Sequence, residues 1–390
     1  MVNEIEDKSK DTKNDKKKKS IWYTILHIQT LNEEEYLHLI RRLTYFIGGG
    51  FAVSFLIFII LAYLGGLNKV INIVESANLT LYFLAFLAVF IGYLLRFVKW
   101  SYYLKKVGIK VPKRKSLVVY LSLYSMDLTP GKFGRVLAAY TLNRLTDKKI
   151  THLVPIVAMD IFTDFLGVGI VAIIVALYFH TFIIEIAIID ILLLIPYLFI
   201  LNSWFYKIIK KYIKSKRFLK LFSIYGDEYF IAQSTLNTKK TYTISLLVSV
   251  PAAFMNASSL YFSLLAIHVK IAPEVLKTVF VSNSTLLFGM VTGVPGNLGV
   301  TDASLVTLVS TAFSLNLSLS SAATIMARFA TLWFGVLLGG VFLIYSFRYW
   351  VNPKDKKKKV INRAISKIKE SENEIKQTIN EKANKNSKDD

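Results

Sequence analysis

Uninterrupted apolar runs of about twenty residues recur along the chain, and a helix of that length spans the roughly 30 Å hydrocarbon core of a bilayer. In lipid every backbone polar group must find a partner within the protein, so runs of this kind fold as helices. With 54% hydrophobic residues and a mean hydropathy of +0.46 over 390 residues, the sequence reads as an all-α polytopic membrane protein. The runs place full spans at about Thr44–Leu64, Leu79–Val98, Leu153–Phe179, Ile183–Ser203, Tyr242–Ile267 and Ser320–Phe347. The Lys-rich N-terminus lacks the short apolar region and cleavage site of a secretory signal, so no cleaved peptide is expected.

Two further apolar regions are interrupted. Thr129-Pro130-Gly131-Lys132-Phe133-Gly134-Arg135 and Val294-Pro295-Gly296-Asn297-Leu298-Gly299-Val300-Thr301-Asp302 share the spacing Pro-Gly-x-x-Gly. Ahead of the first break, Ser116–Leu128 gives roughly 13 residues, or about 20 Å of helix, which is too short to cross. Both regions, 116–145 and 275–315, therefore read as re-entrant helical hairpins. The alternative draws them through the bilayer and gives eight full spans.

Charge orients the spans. The net charge of +22 is concentrated in the tails and two loops, as the positive-inside rule requires, and nucleic-acid binding is not needed to explain it. One such loop carries Lys99, Lys105, Lys106, Lys110, Lys113, Arg114 and Lys115 without an acid, and the other runs over 204–241. Placing them inside puts both termini in the cytoplasm of a cell-membrane protein. Span, span, hairpin, span then occurs twice with opposite orientation, an inverted repeat of halves 44–203 and 242–347. The flanking pieces are a basic segment, 1–43, whose Ile21–Arg42 stretch suits the membrane surface, and a charged cytoplasmic tail, 348–390. Within the tail, residues 361–379 align isoleucines on one helical face.

The chemistry sits at the breaks. Each break starts a half-helix whose free N–H groups favour an anion, strengthened by Lys132 and Arg135 in the first copy, with Asn297 and Thr301 as hydrogen-bonding groups in the second. Aligning Phe165-Leu166-Gly167 with Trp333-Phe334-Gly335 superposes Asp160 on Arg328, both inside apolar helices. Charges at depth find partners, so Arg328 is expected to pair with Asp160, Asp164, Asp302 or a substrate phosphate. Asp160 and Asp164 share a helical face and suit charge pairing or proton coupling. Asp302 suits helix capping as well as function. Ser282, Asn283, Ser284 and Thr285 point to a wet cavity. Glu185 and Asp190 read as packing or interfacial residues. Zero cysteines exclude disulfides and thiolate chemistry, and no metal or cofactor is expected.

Pro130-Gly131-Lys132-Phe133-Gly134-Arg135, Asp160-Ile161-Phe162-Thr163-Asp164, Pro295 to Asp302, and Arg328 ahead of Gly335 together resemble the lysylphosphatidylglycerol-synthase transmembrane-region family of flippase-like proteins, over about Thr44–Phe347. Against the family pattern Asp160 replaces a Glu, Ile161 an Arg, Asn297 a Gly and Asp302 a Glu. The resemblance implies lipid translocation. The aminoacyl-transferase domain of the synthases is not expected here, so an enzyme is not the first reading.

The sequence thus predicts a flippase or transporter for an anionic headgroup lipid, a phospholipid or a polyprenyl-phosphate-linked lipid. Lys132, Arg135, Asn297, Thr301 and Arg328 would bind substrate, and Pro130, Gly131, Gly134, Pro295, Gly296 and Gly299 would shape the breaks. Asp160, Asp164 and Asp302 would pair with the cations or couple protons. A membrane-embedded lipid or glycosyl transferase and a non-transporting lipid-binding scaffold are the alternatives. Anionic membrane lipids are the expected partners, and self-association is left open.

Overall fold

The structure is a computed structural model that describes residues 33–146, 148–201, 227–269 and 274–346. Residues 21–32 of the surface stretch expected over 21–42, residues 204–226 of the loop expected over 204–241, and the isoleucine face over 361–379 lie outside the described residues. The described residues through Leu343 form one compact unit.

Among the described residues the protein is helical without strands. In chain order the helices are α1 (Glu33–Leu64), α2 (Leu67–Glu75), α3 (Leu79–Lys106), α4 (Lys113–Ser122), α5 (Leu137–Leu145), α6 (Ile150–Phe179) and α7 (Ile183–Leu201). They continue with α8 (Asp227–Leu236), α9 (Lys239–Ala266), α10 (Val275–Val291), α11 (Val300–Phe313), α12 (Leu317–Arg328) and α13 (Phe334–Ser346). Five stretches among the described residues are long and apolar enough to cross a membrane: Ile47–Leu64 within α1, then α3, α6, α9, and Leu317–Ser346. The last of these joins α12 and α13 through a π-helical turn, Phe329–Trp333.

The helices depart from the expected pattern in several places. The first helix begins at Glu33, and its stretch apolar enough to cross a membrane begins at Ile47, close to the expected Thr44. The connection after Gly66 is itself a helix, α2, and residues 227–236 of the basic stretch form α8. The second span does not stop at Val98. It continues to Lys106, so Lys99 is a buried helical residue and not part of a cytoplasmic loop. Charge partners inside the protein hold the helix together past the end of the apolar run.

Local chemistry explains several ends. Asn78 Oδ1 accepts from the Thr80 and Leu81 amides at 3.0 and 3.1 Å and starts α3, while the Asn78 amide donates to Ala266 O at 2.8 Å and ties that start to the end of α9. Asn316 caps α12 in the same manner through the Leu319 amide. Tyr93 of α3 donates to Thr331 O, a carbonyl within the π turn, at 3.2 Å.

α6 and α9 carry the centre. In α6, 61% of the apolar window is buried, against 17% in α1, so α1 is peripheral and its exposed Phe51, Phe55, Leu56, Ile59 and Ile60 need lipid around them. The core joins Val168, Val171, Ala172 and Val175 of α6 to Ala253, Ala257, Leu260 and Leu264 of α9, with Val279 and Leu287 of α10 and Ala322, Ala323 and Met326 of α12. Small residues allow the close helix approach on which membrane packing relies. At Gly167 a Cβ would lie 2.7 Å from Ser249 Cβ and 2.8 Å from the Ser249 carbonyl carbon, so α6 and α9 touch backbone to backbone there. Gly167→Ala is expected to cost about 1–3 kcal/mol through overpacking. Thermal unfolding in detergent checks it, and an unchanged midpoint would show that this contact does not constrain the pair.

Candidate functional site

The first break is built by Thr129 and Asp127. Thr129 precedes proline and is extended (φ −75°, ψ 144°), which ends the helical path begun by α4 and its 3-10 continuation, Leu123–Met126. Its hydroxyl donates to Met126 O at 2.6 Å and accepts from the Gly134 amide at 2.9 Å, so one side chain closes the turn from both sides. A 3-10 segment, Pro130–Val136, then leads into α5. Asp127 accepts from Arg135 through both oxygens, at 2.6 and 2.8 Å, and Lys132 Nζ stands 3.8 Å away. That fork aims the guanidinium inward.

Facing it are charges from α3 and α6. Lys99 Nζ lies 2.7 Å from Asp164 and 3.3 Å from Asp160, and Arg96 Nε donates to Asp164 at 3.1 Å. Arg135 Nη1 approaches Asp160 at 3.7 Å and Asp164 at 3.9 Å. Thr163 and Ser249 also accept from Lys99, and Tyr103 bridges Thr163 to Ser245. The cluster holds four cations, Arg96, Lys99, Lys132 and Arg135, against three carboxylates, Asp127, Asp160 and Asp164, which leaves one positive charge in excess. The buried Nη1 atoms of Arg96 and Arg135 have no hydrogen-bond acceptor among the described residues.

The second break is organised by Asp302. Gly296, Asn297 and Gly299 all have positive φ, and a Cβ on Gly296 would lie 2.8 Å from Leu128 Cδ2, so a larger residue there would be strained and would have to displace the Leu128 side chain. Asp302 accepts from the Gly299 amide at 2.8 Å and from Arg328 Nε at 2.7 Å, and Arg328 Nη2 donates to Gly296 O at 3.1 Å. One ion pair therefore caps α11 and pins the break to α12. Leu128 and Leu298 pack together with Trp333 and Val336, bringing the two breaks into contact.

Between the breaks lies a cavity of about 620 Å³. Lys132, Arg135, Gly296, Asn297, Thr301, Arg328 and Asp164 all line it. Asp160, Asp302, Gly134, Pro295 and Gly299 stand behind that wall, Asp160 and Asp302 with no exposure at all. Pro130 and Gly131 open the 3-10 segment. Of the partners open to Arg328, the structure selects Asp302; Asp160 pairs instead with Lys99 and Arg135. Ser282, Asn283 and Thr285 reach the cavity, whereas Ser284 is buried outside it. Asp190 is buried on α7 against Gly169 of α6.

Arg96, Lys99 and Asp127 were not anticipated as site residues. Arg96 carried a signal, a charge within an apolar run, but its nearness to the basic stretch after Val98 makes both it and Lys99 look like flanking residues.

A buried pair whose one member is removed leaves an uncompensated charge. Asp164→Ala strands Arg96 and leaves Lys99 with Asp160 alone, and a loss of about 3–5 kcal/mol is expected. The double substitution Lys99→Leu with Asp160→Leu should cost less than Lys99→Leu alone. Unfolding midpoints of the purified variants decide this, and a double variant less stable than the single would contradict the pairing.

No curated protein sequence matches the chain. The lysylphosphatidylglycerol synthase TM region family matches residues 47–339, a stretch that holds every site residue described above. The chain is a multi-pass membrane protein and belongs to that family.

Proposed function

We propose that the protein moves a lipid with an anionic headgroup, a phospholipid or a polyprenyl-phosphate-linked lipid, across the cell membrane. The observation that carries this reading is the single cavity walled at once by both helix breaks and by buried cations with unused donors, Arg96 and Arg135. Irregular backbone within a membrane protein belongs beside a wet cavity, and discontinuous helices are where transporters build their substrate sites. The excess positive charge suits a phosphate group that would otherwise face lipid.

In this reading the two interrupted regions are re-entrant, six helices cross, and the halves are inverted about the cavity. The basic segments, and with them both termini, lie in the cytoplasm. Lys132 and Arg135 contact phosphate with Arg96. Arg328 acts first on the protein, holding the second break through Asp302 and Gly296 O, and presents its remaining edge to the headgroup. Asp160 and Asp164 keep the cations in place. The protein's work is binding and reorientation, not bond chemistry.

Proteoliposomes containing fluorescent or radiolabelled anionic lipids test the proposal. Wild type should move them between leaflets. Lys132→Gln, at a half-buried side chain whose loss spares the core, should slow movement about tenfold, the effect of roughly 1.4 kcal/mol of lost interaction. Arg328→Ala should abolish movement. No movement by folded wild type, or wild-type rates in both variants, would overturn the reading.

A further inference from the structure

The cavity lining carries neutral polar groups as well as charges. The charged residues come from α3, α6, the first break and, with Arg328, α12. α9, α10 and the second break contribute Asn256, Ser259, Ser282, Asn283, Thr285 and Thr301, neutral hydroxyls and amides. Many of the protons on these neutral groups are committed to the backbone. Asn283 Nδ2 donates to Val279 O at 2.9 Å, Thr285 Oγ1 to Ser282 O at 3.0 Å, and Ser259 Oγ to Asn256 O at 2.7 Å. What remains is lone pairs on Thr285 and Ser259, and Oδ1 with one amide N–H on Asn283. Asn256 Oδ1 is buried without a hydrogen-bond donor among the described residues, in the neighbourhood of the likewise unpaired Arg96 Nη1: the two lie 3.2 and 3.3 Å from where a Cβ on Gly92 would stand. A buried acceptor without a partner is costly, and the neighbouring hydroxyls and amides keep spare capacity, so this part of the lining is suited to a ligand whose groups donate to them.

Those donors have to be neutral. An ammonium needs a free carboxylate, and the acids that line the cavity are already engaged: Asp127 by Arg135 and Lys132, Asp164 by Lys99 and Arg96. The net charge of the cluster repels a further cation. At about 620 Å³ the cavity also falls within the range of about 300–1,000 Å³ typical of small-molecule sites, more room than a bare phosphate fills.

We propose that the headgroup carries neutral hydroxyls beyond its phosphate, so that a polyol or sugar phosphodiester is accepted and a headgroup bearing an ammonium is refused. This rests on the lipid-transport reading of the same cavity. The phosphate lies against Arg96, Lys132 and Arg135, and the hydroxyls donate to Asn256, Asn283 and Thr285.

The test is equilibrium binding to the purified full chain in detergent, with three lipids of matched acyl chains: phosphatidylinositol, phosphatidylmethanol and lysyl-phosphatidylglycerol. Phosphatidylmethanol keeps the phosphodiester charge and lacks the hydroxyls. Phosphatidylinositol should bind about tenfold more tightly than phosphatidylmethanol, the effect of one or two hydrogen bonds, and lysyl-phosphatidylglycerol most weakly. Asn256→Leu and, separately, Thr285→Val should lower phosphatidylinositol affinity toward that of phosphatidylmethanol and leave phosphatidylmethanol unchanged. Equal affinity for those two lipids, or a preference for the lysyl lipid, overturns the hydroxyl inference and leaves anionic-lipid transport standing. No binding of any of the three by folded protein removes both. Glycerophosphoinositol, the same headgroup without chains, should bind far more weakly than the lipid; equal binding would make the ligand a soluble solute and contradict the lipid reading while keeping the headgroup chemistry.

Discussion

Placing Lys99, Arg96 and Arg135 against Asp160 and Asp164 inside an apolar bundle is the constraint that most of the structure answers to. Taking such ions out of water costs several kcal/mol each, and their mutual attraction offsets that only with good geometry and further hydrogen bonds. Thr163, Tyr103, Ser245 and Ser249 supply such bonds around Lys99, which fixes the rotation of α3, α6 and α9 about one another. Apolar side chains of similar volume would stabilise such a bundle as well or better. Here the network carries one cation in excess, and Arg96, Lys132 and Arg135 line a cavity, which leaves positive charge beside open space.

The breaks serve the same end by different local means. At the first, a side chain closes the turn, Thr129 joining Met126 O to the Gly134 amide, and Asp127 steers Arg135. At the second, positive φ angles bend the backbone and the Asp302–Arg328 pair holds it. Leu128 against Gly296 lets the two meet without a side chain between them. A shift of α12 at its π turn would therefore act on Arg328, on the second break and on the cavity wall together.

Much of this was legible in the sequence because it is local. Apolar runs announce the long helices, Pro-Gly-x-x-Gly announces the breaks, and the four-residue spacing of Asp160 and Asp164 puts both on one face toward Lys99. What escaped is tertiary. Lys99 stands where an apolar run gives way to lysines, and its burial depends on carboxylates more than sixty residues away. Arg328 had three acids to choose from, and the choice of Asp302 follows from its second task as the cap of α11. α2 and α8 mix apolar and polar residues over nine and ten positions, too few to stand out beside the long apolar runs.

The central claim is that an accessible, anion-selecting cavity lies between the two breaks. Because the chain contains no cysteine, a single introduced thiol reports on that space alone. With Ser282→Cys on the cavity wall and Ala323→Cys in the packed core as control, the rate of modification by a small water-soluble thiol reagent is the measurement. The account predicts that Ser282→Cys reacts, that anionic lipid slows the reaction and zwitterionic lipid does not, and that Ala323→Cys stays unreactive. Equal inertness at both positions, or protection indifferent to headgroup charge, would contradict it.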